Sequence, residues 1–244
     1  MTQFKNKLFR PPFGLSLVLL MIILFNHGQA QTVLLNVDRA TDSIPSKIGP
    51  NLKRYIYPFM KFGFVLGPDE RGARIKYGSS VEFAIGFRTK YKIGSVYSLG
   101  WELQYNYTAF KLNQDSLKKV PNSFQNKKER IDFSAIRLGF FNRLNFDPFR
   151  GNAMGKYLDL CIAGEWNYGR QNVTKNDLPD GSMVTSVIRK QPYYTDLNAY
   201  AEARLGLSRL SFYANYRFTD LFRPRFDFPE FPRMILGLEL SLGN

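Results

Sequence analysis

Tyr97-Ser98-Leu99-Gly100-Trp101-Glu102-Leu103-Gln104-Tyr105-Asn106-Tyr107-Thr108-Ala109 alternates apolar with small or polar residues throughout. A β-strand sends successive side chains to opposite faces, so this segment has one greasy wall and one wet wall. Its length suits a strand that crosses a bilayer, which needs about 9–11 residues when tilted. Strands can cross hydrocarbon only in a closed barrel, where every backbone group finds a partner.

The same alternation recurs along the chain. On either side of the Tyr97 segment it marks strands near Tyr55–Gly67, Val81–Arg88, Ile136–Leu144 and Leu158–Tyr168. Three more follow near Tyr193–Leu205, Leu210–Phe218 and Met234–Gly243. The expected fold is all-β, an eight-stranded antiparallel up-and-down transmembrane β-barrel, in line with the even strand number of bacterial single-chain barrels. Thr89–Gly94 and Gly206–Arg209 read as short turns. Lys111–Arg130, Gln171–Lys190 and the proline- and phenylalanine-rich Asp220–Pro232 read as long loops. Short turns on one rim and long loops on the other are an outer-membrane arrangement. Asn145–Lys156 is the poorest fit, being long for a short-turn rim.

Residues 1–30 read as a signal peptide. Lys5, Lys7 and Arg10 precede the apolar block Phe13–Phe25, and Gly28-Gln29-Ala30 supplies small residues for cleavage near Ala30. Residues 31–53 read as an extended periplasmic lead-in and 54–244 as the barrel. The formal charge is +14, and the leader holds three of the cations and no acid, leaving +11. An exported chain meets little nucleic acid, so none is expected as a partner. The lone cysteine, Cys161, excludes an internal disulfide and falls on a polar strand face as a small packing residue.

Alternation does not say which wall faces outward, because a soluble barrel alternates too. The polar wall carries Glu82, Glu102, Asp159, Glu165, Asp196, Glu202 and Glu239 with Lys61, Arg88, Arg137, Arg143, Arg204 and Arg217. This nearly balanced set is interleaved with Gly and Ala. An eight-stranded barrel is just wide enough to be filled by side chains. Charges buried there must pair, so the polar wall is expected inside. Tyr97, Tyr107, Phe110, Tyr157, Tyr168, Tyr193 and Phe218 sit near strand ends, where interfacial aromatic girdles form. Lys118, Lys119, Lys127, Lys128 and Arg130 cluster in one long loop, and Arg223, Arg225 and Arg233 in the last, as candidates for contact with glycolipid phosphate.

The only histidine, His27, leaves with the leader, which removes the usual general base, the Ser-His-Asp triad and imidazole metal ligands. Glu102 and Glu165 are the alternative candidates for a carboxylate pair and are read as arginine partners. No enzyme activity, cofactor or metal is expected.

The last hairpin carries a resemblance. Tyr216-Arg217-Phe218-Thr219-Asp220-Leu221-Phe222, a proline-bearing loop and Leu236-Gly237-Leu238-Glu239-Leu240-Ser241-Leu242-Gly243 resemble the C-terminal hairpin of PorT-like small outer-membrane β-barrel proteins. Gly237, Leu240 and Leu242 are also similar to the signal read by the barrel-assembly machinery, although Asn244 replaces the usual terminal aromatic. The resemblance implies a multi-pass barrel in the outer membrane of a Gram-negative cell envelope. It also implies a structural or interaction role, as component or accessory of a type IX-like secretion machine. Expected partners are outer-membrane lipid and glycolipid, the assembly machinery and envelope or secretion proteins. The alternatives are a narrow outer-membrane pore and a soluble exported ligand-binding β-barrel.

Overall fold

Each of the eight alternating segments forms a strand in the computed structural model, which describes residues 49–243. In chain order these are β1 (Arg54–Leu66), β2 (Val81–Lys92), β3 (Tyr97–Lys111), β4 (Lys128–Asn145) and β5 (Lys156–Asp177). They continue with β6 (Met183–Arg189), β7 (Leu197–Leu207), β8 (Leu210–Arg217) and β9 (Met234–Ser241). All pairings are antiparallel, and β1 pairs with both β2 and β9, closing eight strands into a barrel from which β6 projects. Among the described residues there is no α-helix, only a 3₁₀ turn at Pro224–Phe226. The signal peptide, its cleavage site, His27 and lead-in residues 31–48 lie outside the described residues.

The segment read as a loop between the fifth and sixth barrel strands is instead a hairpin. β5 pairs with β7 over Lys156–Trp166 and with β6 over Gln171–Asp177, so its upper half stands beyond the barrel. Val173, Thr174, Val184, Thr185, Val187 and Ile188 are β-branched residues suited to strands. Pro179-Asp180-Gly181 turns the chain, with Gly181 at φ 83° and Asp180 accepting a 2.9 Å bond from the Ser182 N–H. The β4–β5 ladder steps from Ala135↔Asn167 to Ser134↔Gly169, leaving Tyr168 as the extra residue of a bulge.

The short connections 93–96, 146–155 and 208–209 share one rim, and 67–80, 112–127, 190–196 and 218–233 share the other with the hairpin. The longer turn at 146–155 is tied down by Arg150, which donates to the carbonyls of Asp147 (2.6 Å) and Ala153 (2.7 Å). Asn51 donates to the Gly151 carbonyl at 2.7 Å, fastening the end of the lead-in to this turn.

The inner wall is polar through the barrel's middle and apolar near the long loops. Val65, Phe110, Ile131, Phe133 and Ile235 point inward there, and Tyr194, Leu221, Phe222 and Phe231 from the loops pack onto them. Phe110 stacks on Phe231 at 4.8 Å, and Phe133 meets Tyr194 edge-on at 4.9 Å. The aromatic-rich loop thus forms a plug. Tyr193, read as a girdle residue, lies in the 190–196 connection and packs on the plug rings. Two others belong inside: Phe110 is in this plug, and Tyr157 is fully buried with its hydroxyl 2.8 Å from Ser211. Both lie on the inward parity of their strands.

At the closing seam Gly63 pairs with Gly237, and the Tyr213 ring lies over them. A Cβ on Gly237 would collide with that ring and with the backbone of Phe62. Gly237→Val is expected to lower unfolding free energy by about 1–3 kcal/mol, measured by urea titration of the purified protein in detergent. An unchanged midpoint would contradict this seam.

Candidate functional site

Most of the polar wall comes together as a main buried ionic network, with a smaller cluster of Arg137, Glu165 and Glu82 beside it. Glu102 is the hub of the main network. It sits on β3 and receives Arg88 from β2 (Nε to Oε2, 2.8 Å) and Arg204 from β7 (Nη1 to Oε2, 2.5 Å). Glu239, on β9, holds Arg88 in a two-pronged pair at 2.6 and 2.8 Å. Lys61 on β1 binds Glu202 at 2.6 Å and stands 3.8 Å from Glu102 and 3.7 Å from Glu239. Toward the short-turn rim, Arg143 grips Asp159 with two bonds of 2.6 and 2.8 Å, and Arg204 reaches the same carboxylate at 3.3 Å. Toward the long loops, Arg137 lies 2.6 Å from Glu165 and 3.2 Å from Glu82. All these groups are buried.

Aromatic and neutral polar groups complete the shell. The Tyr57 hydroxyl accepts from Arg143 (3.0 Å) and Arg88 (3.2 Å), and the Tyr200 hydroxyl donates to Glu165 at 2.9 Å. Arginine faces rest on rings: Arg143 on Tyr157 at 3.5 Å, Arg137 on Tyr200 at 4.0 Å and Arg88 on Phe59 at 4.3 Å. Such contacts contribute about 2 kcal/mol where water is excluded. None of these tyrosines was singled out as an interior residue from the sequence. The parity that places Lys61 inside also places Tyr57 and Phe59 there. Lys90 is buried as well and donates to the Pro50 carbonyl, a partner that parity does not reveal.

The structure brings together Glu82, Arg88, Glu102, Arg137, Arg143, Asp159, Glu165, Glu202, Arg204 and Glu239. Arg217 is buried but separate, paired with loop residue Glu230 at 2.8 Å. Glu230 also accepts the Leu221 and Phe222 N–H groups at 2.7 and 2.9 Å, holding the plug in the barrel mouth. Burial raises its carboxyl above the usual glutamate pKa, against the opposing pull of Arg217 and those N–H groups. Asp196 does not join the lumen. It precedes β7, its side chain is 46% exposed, and it pairs with Arg170 and Arg223, each at 2.7 Å.

The four loop lysines do not form one patch. Lys118 is buried against Glu129, which also accepts from Asn172 and Asn126, so it faces the protein rather than solvent. Lys127 pairs with Asp177 across to the hairpin at 2.6 Å. Lys119 and Lys128 are exposed. Loop composition carries no information on which lysine turns inward.

Glu102 and Glu165 belong to different clusters, each engaged by cations, so neither is poised beside the other for acid–base chemistry. Cys161 is buried with its Sγ 3.9 Å from Glu102. Among the described residues no group of His, Cys, Asp and Glu is arranged to hold a metal ion. Comparison with protein-family models and with curated protein sequences finds no match.

Removing one member of a buried ion cluster leaves its partners uncompensated, which costs about 3–5 kcal/mol. Glu102→Gln is therefore expected to destabilise the barrel by that amount in urea titration. Combining it with Arg204→Met should cost less than the two single changes added together. Strict additivity would show that the two side chains are not coupled.

Proposed function

We propose that this protein is an integral outer-membrane β-barrel with a structural or interaction role and no enzymatic activity. The outer surface carries the reading. From Ile56 to Leu66, Val81 to Tyr91, Tyr97 to Ala109, Ser134 to Leu144 and Leu158 to Tyr168, no outward position holds Asp, Glu, Lys or Arg. The same holds for β7, β8 and β9. Phe62, Phe87, Leu103, Leu138, Ile162 and Leu238 are among the exposed residues of this belt, each 45–69% accessible. In water such a surface would far exceed the few hundred Å² of apolar patch that monomers tolerate. Acyl chains are its natural solvent, and an apolar band about 25 Å tall is what barrels present to them.

A filled lumen favours a scaffold over a pore, because the ionic network and the aromatic plug occupy the path water would take. The long-loop rim, braced by Arg217–Glu230, Arg223–Asp196 and Lys118–Glu129, then offers an ordered face to envelope partners. A link to a type IX-like secretion machine rests on the resemblance of the last hairpin alone. Affinity capture from detergent-solubilised envelopes with mass spectrometry tests it, and recovery of assembly factors only would remove it.

Two measurements test the main reading. The native protein should float with membranes after alkaline extraction and give no conductance steps in planar bilayers; release by osmotic shock would support the soluble barrel instead. Leu138→Arg, at mid-belt, should disfavour folding into vesicles by about 2–4 kcal/mol. Equal folding yields across a urea series would argue against acyl contact at that face.

A further inference from the structure

Five cations gather on the outer face of β3, β4 and β5, just beyond the apolar belt on the long-loop side. Lys111 stands directly opposite Arg130 in one ladder, and Lys128 directly opposite Lys175 in the next. Lys76 lies beside them, its N–H bonded to the Lys111 carbonyl at 2.7 Å. Together they line a cleft of about 340 Å³ with Leu112, Val173 and Glu129. Arg130 pairs with Asp132 at 2.8 Å. Among the described residues Lys76, Lys111, Lys128 and Lys175 have no ion-pair or hydrogen-bond partner for their ammonium groups. Glu129 does not neutralise them, since Lys118, Asn126 and Asn172 engage both its oxygens.

Like charges directly opposite in a ladder repel and weaken a sheet. Here two such pairs stand side by side on strands whose spacing of about 4.8 Å fixes their separation. Long lysines on mobile loops could splay apart. These cannot move their Cα atoms without breaking the ladder. A multivalent anion entering the cleft therefore relieves repulsion among them.

Height selects the anion. Lys111 is two residues past Ala109, where the outward apolar run of β3 ends, which is roughly 5 Å further along a tilted strand. On the membrane reading, that height lies among headgroups rather than in bulk solvent. We infer that this cleft binds the phosphates of a glycolipid headgroup carrying two or more phosphate groups in the outer leaflet. The inference rests on the proposed membrane location and replaces the loop cluster of Lys118, Lys119, Lys127, Lys128 and Arg130 with a site on the strand ends that shares Lys128 and Arg130 with it.

The test uses the full chain in detergent and its variant Lys111→Gln/Lys128→Gln/Lys175→Gln, with binding read by native mass spectrometry. The probes are a bisphosphorylated glycolipid, the same lipid without phosphates, and soluble tripolyphosphate. The native protein should retain the bisphosphorylated lipid, the variant should hold it at least about tenfold more weakly, and the dephosphorylated lipid should bind neither well. Lys119→Gln/Lys127→Gln, which removes two cations outside the cleft, should bind like the native protein. Because the triple variant relieves repulsion, its melting temperature in glycolipid-free detergent should equal or exceed the native value. Equal lipid retention by native and triple variant overturns the site, and so does a lower melting temperature, which would make these lysines structural. Tripolyphosphate binding as tight as that of the lipid would overturn the headgroup assignment in favour of a soluble polyanion. Failure to float with membranes would instead count against the membrane reading, and detergent-phase binding does not depend on that result.

Discussion

Charge neutralisation inside a closed sheet is the constraint on which the rest of the structure depends. A carboxylate or guanidinium removed from water costs several kcal/mol unless partners recover it. An eight-stranded lumen leaves space for side chains and little else. Glu102, Glu239, Glu202 and Asp159 accordingly interlock with Arg88, Arg204, Arg143 and Lys61, which come from strands far apart in sequence. Glycines at Gly63 and Gly237 leave room for the Tyr213 ring, as Gly206 does for Tyr157. The network also sets register. A slip of one residue would carry the lumen charges to the outer face and the outward leucines to the lumen, so one alignment of each strand is strongly favoured.

The two ends of the barrel are finished differently. At the short-turn rim, backbone carbonyls and amide side chains do the closing: Lys90 on Pro50, Asn51 on Gly151, Arg150 on its own turn. At the long-loop rim, aromatic packing does it, with Phe222 and Phe231 pressed onto Phe110 and Tyr194. Glu230 joins the two modes, because the same carboxylate that pairs with Arg217 also holds the plug's backbone. With the lumen filled by ions and one mouth by rings, the surfaces left for interaction are the outer belt, the loop face and the basic cleft beside β4.

Much of this was legible in the residues. Period-two alternation located all eight barrel strands and placed Glu82, Arg88, Glu102, Arg137, Arg143, Asp159, Glu165, Glu202, Arg204 and Glu239 on one wall, since parity is a local property of an extended backbone. The β5–β6 hairpin was not legible as a strand pair, because a polar composition outweighed its β-branched residues and its Pro-Asp-Gly turn. Phe110 and Tyr157 were read as girdle residues from their place near strand ends, although their own parity pointed inward. Asp196 shares the parity of Asn198 and Glu202 but lies one residue before the wall begins, where parity has no meaning. Lys118 differs from Lys119 only in how a loop folds over Glu129.

The sequence by itself therefore determined which side chains share a face and that one face would have to balance its charges. Which cation meets which carboxylate was decided only by the closed tertiary structure, because closure sets β9 against β1 and brings β7 within reach of β3 across the lumen. The basic cleft has the same origin. Lys111, Arg130 and Lys175 are distant in the chain and become neighbours only through ladder register. Alternation is written residue by residue, whereas pairing across strands depends on long-range contacts that no local pattern encodes.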